Sequence, residues 1–139
     1  MWEKETPQEA LYTNTTSPRS VNEERTRVGA IEDLNLKYKV KEVERGKGYV
    51  IFLIFLEMRG AIHEGFKIRR GEVVITKGEV AKHIRDSKIK GVEMAAPPPA
   101  DSNALVMVRI TEEDSEKALG EVLKCVCDYL ISQGFLTKP

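Results

Sequence analysis

At 139 residues, with 41% apolar and 32% charged side chains, the chain holds one domain with an ordinary core and a heavily solvated surface. Its longest unbroken apolar run has eight residues, far short of the roughly 20 that a membrane span needs. The net charge of zero excludes a uniformly basic or acidic protein but hides an uneven spread. Residues 1–36 carry 4 basic and 7 acidic side chains, net −3. Residues 37–90 carry 14 basic and 7 acidic, net +7, and residues 91–139 carry 4 basic and 8 acidic, net −4.

Residues 1–26 mix Thr, Ser, Asn, Glu, Arg and two prolines, and read as a disordered tail that contains Trp2, Leu11 and Tyr12. The opening Met1-Trp2-Glu3-Lys4 lacks an apolar signal region, which points to an intracellular, cytoplasmic chain with no membrane partner. Residues 27–139 are expected to form a single α+β domain. Val28 to Leu34 fits a short helix or a strand. From Leu34 onward the period is two: Leu34, Leu36, Tyr38 and Val40 face one way, and Asn35, Lys37, Lys39 and Lys41 the other. Arg45-Gly46-Lys47-Gly48 then turns the chain back, predicting a hairpin.

The returning strand is the apolar run Tyr49-Val50-Ile51-Phe52-Leu53-Ile54-Phe55-Leu56, which suits a strand covered on both faces. Gly60 and Gly65 break the chain after it. Phe66 to Arg69 and Val73 to Ile75 read as two more strands continuing an antiparallel meander. A short helix is expected over 79–86, with Val80, Ala81 and Ile84 on its inner face. An indistinct edge strand over 88–96, three prolines at 97–99 and a strand over 104–110 follow.

Thr111 reads as the N-cap of a long C-terminal helix, with Glu112, Glu113 and Asp114 complementing its dipole. Leu119, Val122, Leu123, Val126, Tyr129 and Leu130 form its apolar stripe, and Gly134 its stop, with Phe135 and Leu136 free to fold back. The expected architecture is an antiparallel sheet of about five strands with this helix on one face.

Chemical motifs are sparse. Cys125 and Cys127 stand two apart in the helix, about 200° around its axis, which suits packing rather than a shared metal or disulfide. His63-Glu64 lacks the second histidine of a zinc-protease motif, and His83 lies apart from it. Lys47-Gly48-Tyr49 opens like an RNA-recognition-motif signature, but Val50, Ile51 and Phe52 do not continue it. Serines lack a nucleophile-elbow context, and no glycine loop precedes a helix to cradle phosphate. The sequence therefore points to a binding protein rather than an enzyme, with no cofactor and no metal.

The basic middle supplies the candidate site. Lys37, Lys39 and Lys41, with Arg45 and Lys47 at the turn and Lys67 and Arg69 on a neighbouring strand, would make one basic stripe. Such a stripe binds nucleic-acid phosphates without reading sequence. The alternative is a solvated face on which Glu42, Glu44 and Glu72 pair those charges, leaving a protein-interaction module. A homodimer fits that alternative, because one long helix can cover only one face of the apolar strand.

Overall fold

The computed structural model describes residues 26–31, 34 and 36–137. The expected tail therefore lies outside the described residues, apart from Thr26, which opens the first strand. That strand, β1 (Thr26–Ile31), pairs antiparallel with β2 (Leu36–Gly46), and β2 with β3 (Tyr49–Glu57). The Tyr38 ring packs across Gly29 of β1, 2.4 Å from where a Cβ would stand, so a larger residue there would displace the ring. The β2–β3 hairpin closes through Lys47 and Gly48, whose φ of +83° suits glycine.

After β3 the chain leaves the sheet. Three four-residue strands, β4 (Ala61–Glu64), β5 (Lys67–Arg70) and β6 (Val73–Thr76), form a separate antiparallel sheet. Gly65 and Gly71, at φ +61° and +63°, make its two turns. Thr76 then caps helix α1 (Lys77–Asp86) in a reciprocal capping box: Glu79 N donates to Thr76 Oγ1 at 3.1 Å, and Thr76 N to Glu79 Oε1 at 3.2 Å. The helix thus starts two residues earlier than its apolar pattern suggests.

Strands β7 (Val92–Ala96) and β8 (Val106–Thr111) bring the chain back, and β8 inserts between β3 and β7. The strand order of the main sheet is β1-β2-β3-β8-β7, every pair antiparallel. The α+β class, the five-stranded antiparallel sheet and the long C-terminal helix are as expected. The difference is that β3 has β8 as its second neighbour rather than the strand expected over 66–69, which lies in the small sheet as β5. A turn of 3-10 helix over Glu112–Asp114 leads into α2 (Ser115–Ser132). Gly134 stops it at φ +77°, and Phe135 N donates to Leu130 O at 2.9 Å, turning the buried Phe135 and Leu136 back onto the stripe.

The core lies on one side of the main sheet. Val50, Phe52, Ile54 and Leu56 of β3 and Val106, Val108 and Ile110 of β8 are buried there. Val80, Ala81 and Ile84 of α1 and Leu119, Val122, Val126 and Leu130 of α2 join them in one cluster, with Ile68 and Ile75 of the small sheet. Among the described residues, no helix is long and apolar enough to cross a membrane.

Lys77, the first residue of α1, is fully buried, and its ammonium donates to Ser102 O at 3.0 Å. Burial pushes its pKa below the usual 10.5. The cost of the buried charge is fully present below the folded value and is relieved as pH climbs through it, because there the unfolded chain binds the extra proton. Lys77→Met is therefore expected to be at least as stable as the wild type at pH 7 and to gain less as pH rises toward the unfolded value near 10.5. Urea unfolding across that range measures the difference. A larger alkaline gain in the variant would show that the amine is not held under strain.

Candidate interaction surface

The side of the main sheet that faces away from the helices carries the candidate site, and a single irregularity decides what stands on it. Between Glu42 and Glu44 the β2–β3 register shifts, so Glu42 pairs with Phe52 and Glu44 with Ile51. This bulge reverses the parity of β2 relative to β3. As a result Lys37, Lys39 and Lys41 stand opposite Glu57, Phe55 and Leu53 on the outer face. Continuing across the sheet, Leu53 pairs with Met107 and Ile51 with Arg109; Met107 pairs with Ala96 and Arg109 with Met94. Val28 of β1 lies beyond Lys39 and is 73% exposed.

Ile51, Leu53, Phe55, Met94 and Met107 are half-buried, and none belongs to the core cluster or packs against it. They form a contiguous apolar patch across β3, β8 and β7, flanked by the lysine row of β2. The aromatic rings on this face carry cations. Lys39 Nζ lies 4.6 Å from the Phe55 ring centroid, and the Arg109 guanidinium 3.9 Å from that of Tyr49. Tyr49 also donates its hydroxyl to Glu44, and that bond holds its pKa above the usual 10. Arg109 Nε donates to Glu93 Oε1 at 2.9 Å. The face thus combines an apolar centre with both signs of charge around it.

The remaining basic candidates do not join the lysine row. Arg45 pairs with Val50, whose side chain is in the core, so Arg45 stands on the helix side of the sheet. There Nη2 and Nε bond the two carboxylate oxygens of Glu42 at 2.9 and 3.1 Å, and Nη1 reaches Glu112 at 2.7 Å. Glu42 is only 8% exposed and stands on the core side, so it is not the surface partner of the lysines that the solvated-face alternative supposes. Lys47 is exposed in the hairpin turn. Lys67 and Arg69 lie on β5, in the other sheet, and Arg69 pairs with Glu64 at 3.2 Å. The expected single stripe is therefore split by the departure of the chain after β3.

Removing Arg45 leaves a nearly buried carboxylate without its bidentate donor. Arg45→Ala is expected to destabilise the fold more than Lys47→Ala in the neighbouring turn, which should stay within about 0.5 kcal/mol. Urea unfolding of the two variants is the measurement, and equal losses would mean that the Glu42 pairing contributes nothing.

The residues that sequence reasoning missed are Tyr49, Phe55 and Arg109. Their place on the lysine face follows from the bulge and from the distant β3–β8 pairing, neither of which has a local signal. Cys125 and Cys127 are free, Cys127 buried and Cys125 half-buried, and burial pushes the Cys127 thiol up to about 11. Among the described residues, no group of three or more His, Cys, Asp or Glu side chains is placed to hold a metal ion. No protein family model, no curated protein and no solved structure matches the chain.

Proposed function

We propose that the protein is a small intracellular interaction module that works as a homodimer through the outer face of its main sheet. The observation that carries this reading is the contiguous apolar patch of Ile51, Leu53, Phe55, Met94 and Met107 lying outside the core. A second copy is the occupant that the charges favour. On this face Lys39 and Glu44 stand on either side of Leu53 along the strands. A two-fold axis across the strands at the Leu53–Met107 row brings Lys39 and Phe55 of each copy over Glu44 and Ile51 of the other. Lys41 lies in the axis row beside Thr26 of β1, and its long chain must turn aside from its own copy. With strands about 4.8 Å apart and about 3.3 Å per residue, the face is about 20 Å on a side. Such a face buries roughly 400 Å² per copy, below the standard size class, so weak and transient association, on the order of micromolar or weaker, is what the area supports.

A second reading keeps nucleic acid as the partner. Its support is the row of Lys37, Lys39 and Lys41 beside the Phe55 ring, a combination that suits phosphates and a stacked base. One paired experiment separates the two. Light scattering between 1 and 200 micromolar, on the order of the expected dissociation constant, should show a monomer–dimer transition. Polarisation of a labelled single-stranded oligonucleotide should show no binding that steepens with falling salt by about 0.7 per contacted phosphate. A monomer at every concentration, together with such salt-dependent binding, would replace the first reading with the second.

A further inference from the structure

The small sheet sets His63, Ile68 and Ile75 in one row, each the cross-strand partner of the next. Ile68 and Ile75 are buried in the core, so the His63 imidazole stands on the side of that sheet that faces the rest of the domain. Two polar groups are poorly matched in this joint. His63 Nδ1 is buried with no hydrogen-bond partner in the protein. The Lys77 ammonium, at the start of α1, is fully buried with Ser102 O as its acceptor, and its field reaches the imidazole. The backbone N–H of Lys77 also donates to Phe66 O at 2.7 Å, tying α1 to the turn between β4 and β5.

An unbonded Nδ1 suits only one protonation state. A neutral imidazole can keep its proton on Nε2 and leave Nδ1 a bare lone pair. Protonation makes Nδ1 an N–H donor with nothing to donate to and sets a second cation beside Lys77. Burial first, and the Lys77 charge second, hold the His63 pKa below the usual 6.5. The other charges nearby do not relieve this. Lys37 and Lys39 of β2 and Glu57 of β3 share a cleft wall with His63, and Glu57 stands opposite Lys37. Glu64, the next residue on β4, alternates to the other face of the small sheet and pairs with Arg69. We propose that acid opens this joint: protonation of His63 releases the small sheet, with Ile68 and Ile75 on its inner face, from the rest of the domain. In the opened form water bonds both ring nitrogens and screens the two cations from each other. The closed joint therefore has its full stability above the ordinary value of 6.5 and loses it as pH falls through that value toward the lower folded one. The inference does not rest on the dimer reading, because neither His63 nor Lys77 lies in the main sheet.

Amide hydrogen exchange of the full chain between about pH 7.5 and 5.5 tests it, a window in which ordinary carboxylates stay ionised. Corrected for the intrinsic pH dependence of exchange, opening of β5, the central strand of the small sheet, should rise by up to about tenfold as pH falls. At every pH it should stay far more frequent than opening of β3 and β8, because the sheet releases without unfolding the chain. His63→Gln should abolish the rise, and Lys77→Met, which removes the second cation, should reduce it. A measurement on the wild type guards against a folding defect in either variant: the His63 ring resonances should titrate with a midpoint below 6.5. A β5 opening that does not change with pH, a rise that persists in His63→Gln or undiminished in Lys77→Met, a His63 midpoint at or above 6.5, or β5 opening only together with β3 and β8 would each overturn the proposal.

Discussion

Phe52→Ala is expected to cost about 3–5 kcal/mol, while Phe55→Ala, three residues along the same strand, should cost about 1–2 kcal/mol. The two rings have the same chemistry and sit on opposite faces of β3. Phe52 is 1% exposed and surrounded by the core cluster, so its removal leaves a cavity that the packed helices cannot collapse into. Phe55 is half-buried outside that cluster, with the Lys39 ammonium over its ring, and its removal mainly exposes neighbours already in contact with water. Against a total stability of about 5–15 kcal/mol, the first change removes a large share and the second a small one. Chemical unfolding of both variants, at a concentration low enough for the monomer, reads the difference. Equal losses would show that both faces of the strand are enclosed and that no open surface exists.

Leu53→Glu carries the second large effect, and it falls on association rather than folding. Leu53 lies at the centre of the outer patch, where a two-fold axis makes the change count twice. Losing the burial of two leucines costs about 3–6 kcal/mol, and two carboxylates at the axis add repulsion. The dimer should therefore weaken by at least about 100-fold. Stability of the monomer should change by less than about 1 kcal/mol, because Lys41 stands directly opposite on β2 and offers the new carboxylate a cross-strand partner. Ile62→Glu is the control. Ile62 is also apolar and 54% exposed, but it lies on the small sheet. Sedimentation should show dissociation for Leu53→Glu alone; dissociation by both variants, or by neither, would move the interface elsewhere.

Much of the fold was legible because its signals are local. The alternation from Leu36 to Val40 predicts β2, and the structure buries Leu36 and Val40 while the lysines face out. The C-terminal helix announces its stripe, its acidic start and its Gly134 stop, and Phe135 folds back as the pattern implies. The capping box of Thr76 and Glu79 was also present to be read, though the apolar pattern alone placed the helix two residues late. Burial of Lys77 had no such signal, since a lysine beside a helix start reads as solvated.

Legibility ended where pairing became nonlocal. Counting back from the hairpin turn without a bulge would place Lys41 opposite Ile54, on the core side; the shift at Glu42 places it opposite Leu53 instead. One extra residue thus decides whether the lysines share a face with the core or with the outer patch. The break at Gly60 looks the same in sequence whether the next strand joins β3 or starts another sheet. For that reason the sequence pattern groups Lys67 and Arg69 with residues that the topology keeps in a different sheet.

The central claim is that the outer face of the main sheet is a contact surface between two copies, and methyl accessibility tests it most directly. A soluble paramagnetic agent broadens the NMR signals of methyl groups that meet solvent. The methyls of Ile51, Leu53 and Met107 should be broadened in dilute solution and protected as the protein concentration rises, whereas those of the exposed Ile62 and Val74 should be broadened equally throughout. Protection of the outer-face methyls that does not change with concentration, or broadening of all five at every concentration, would contradict the account.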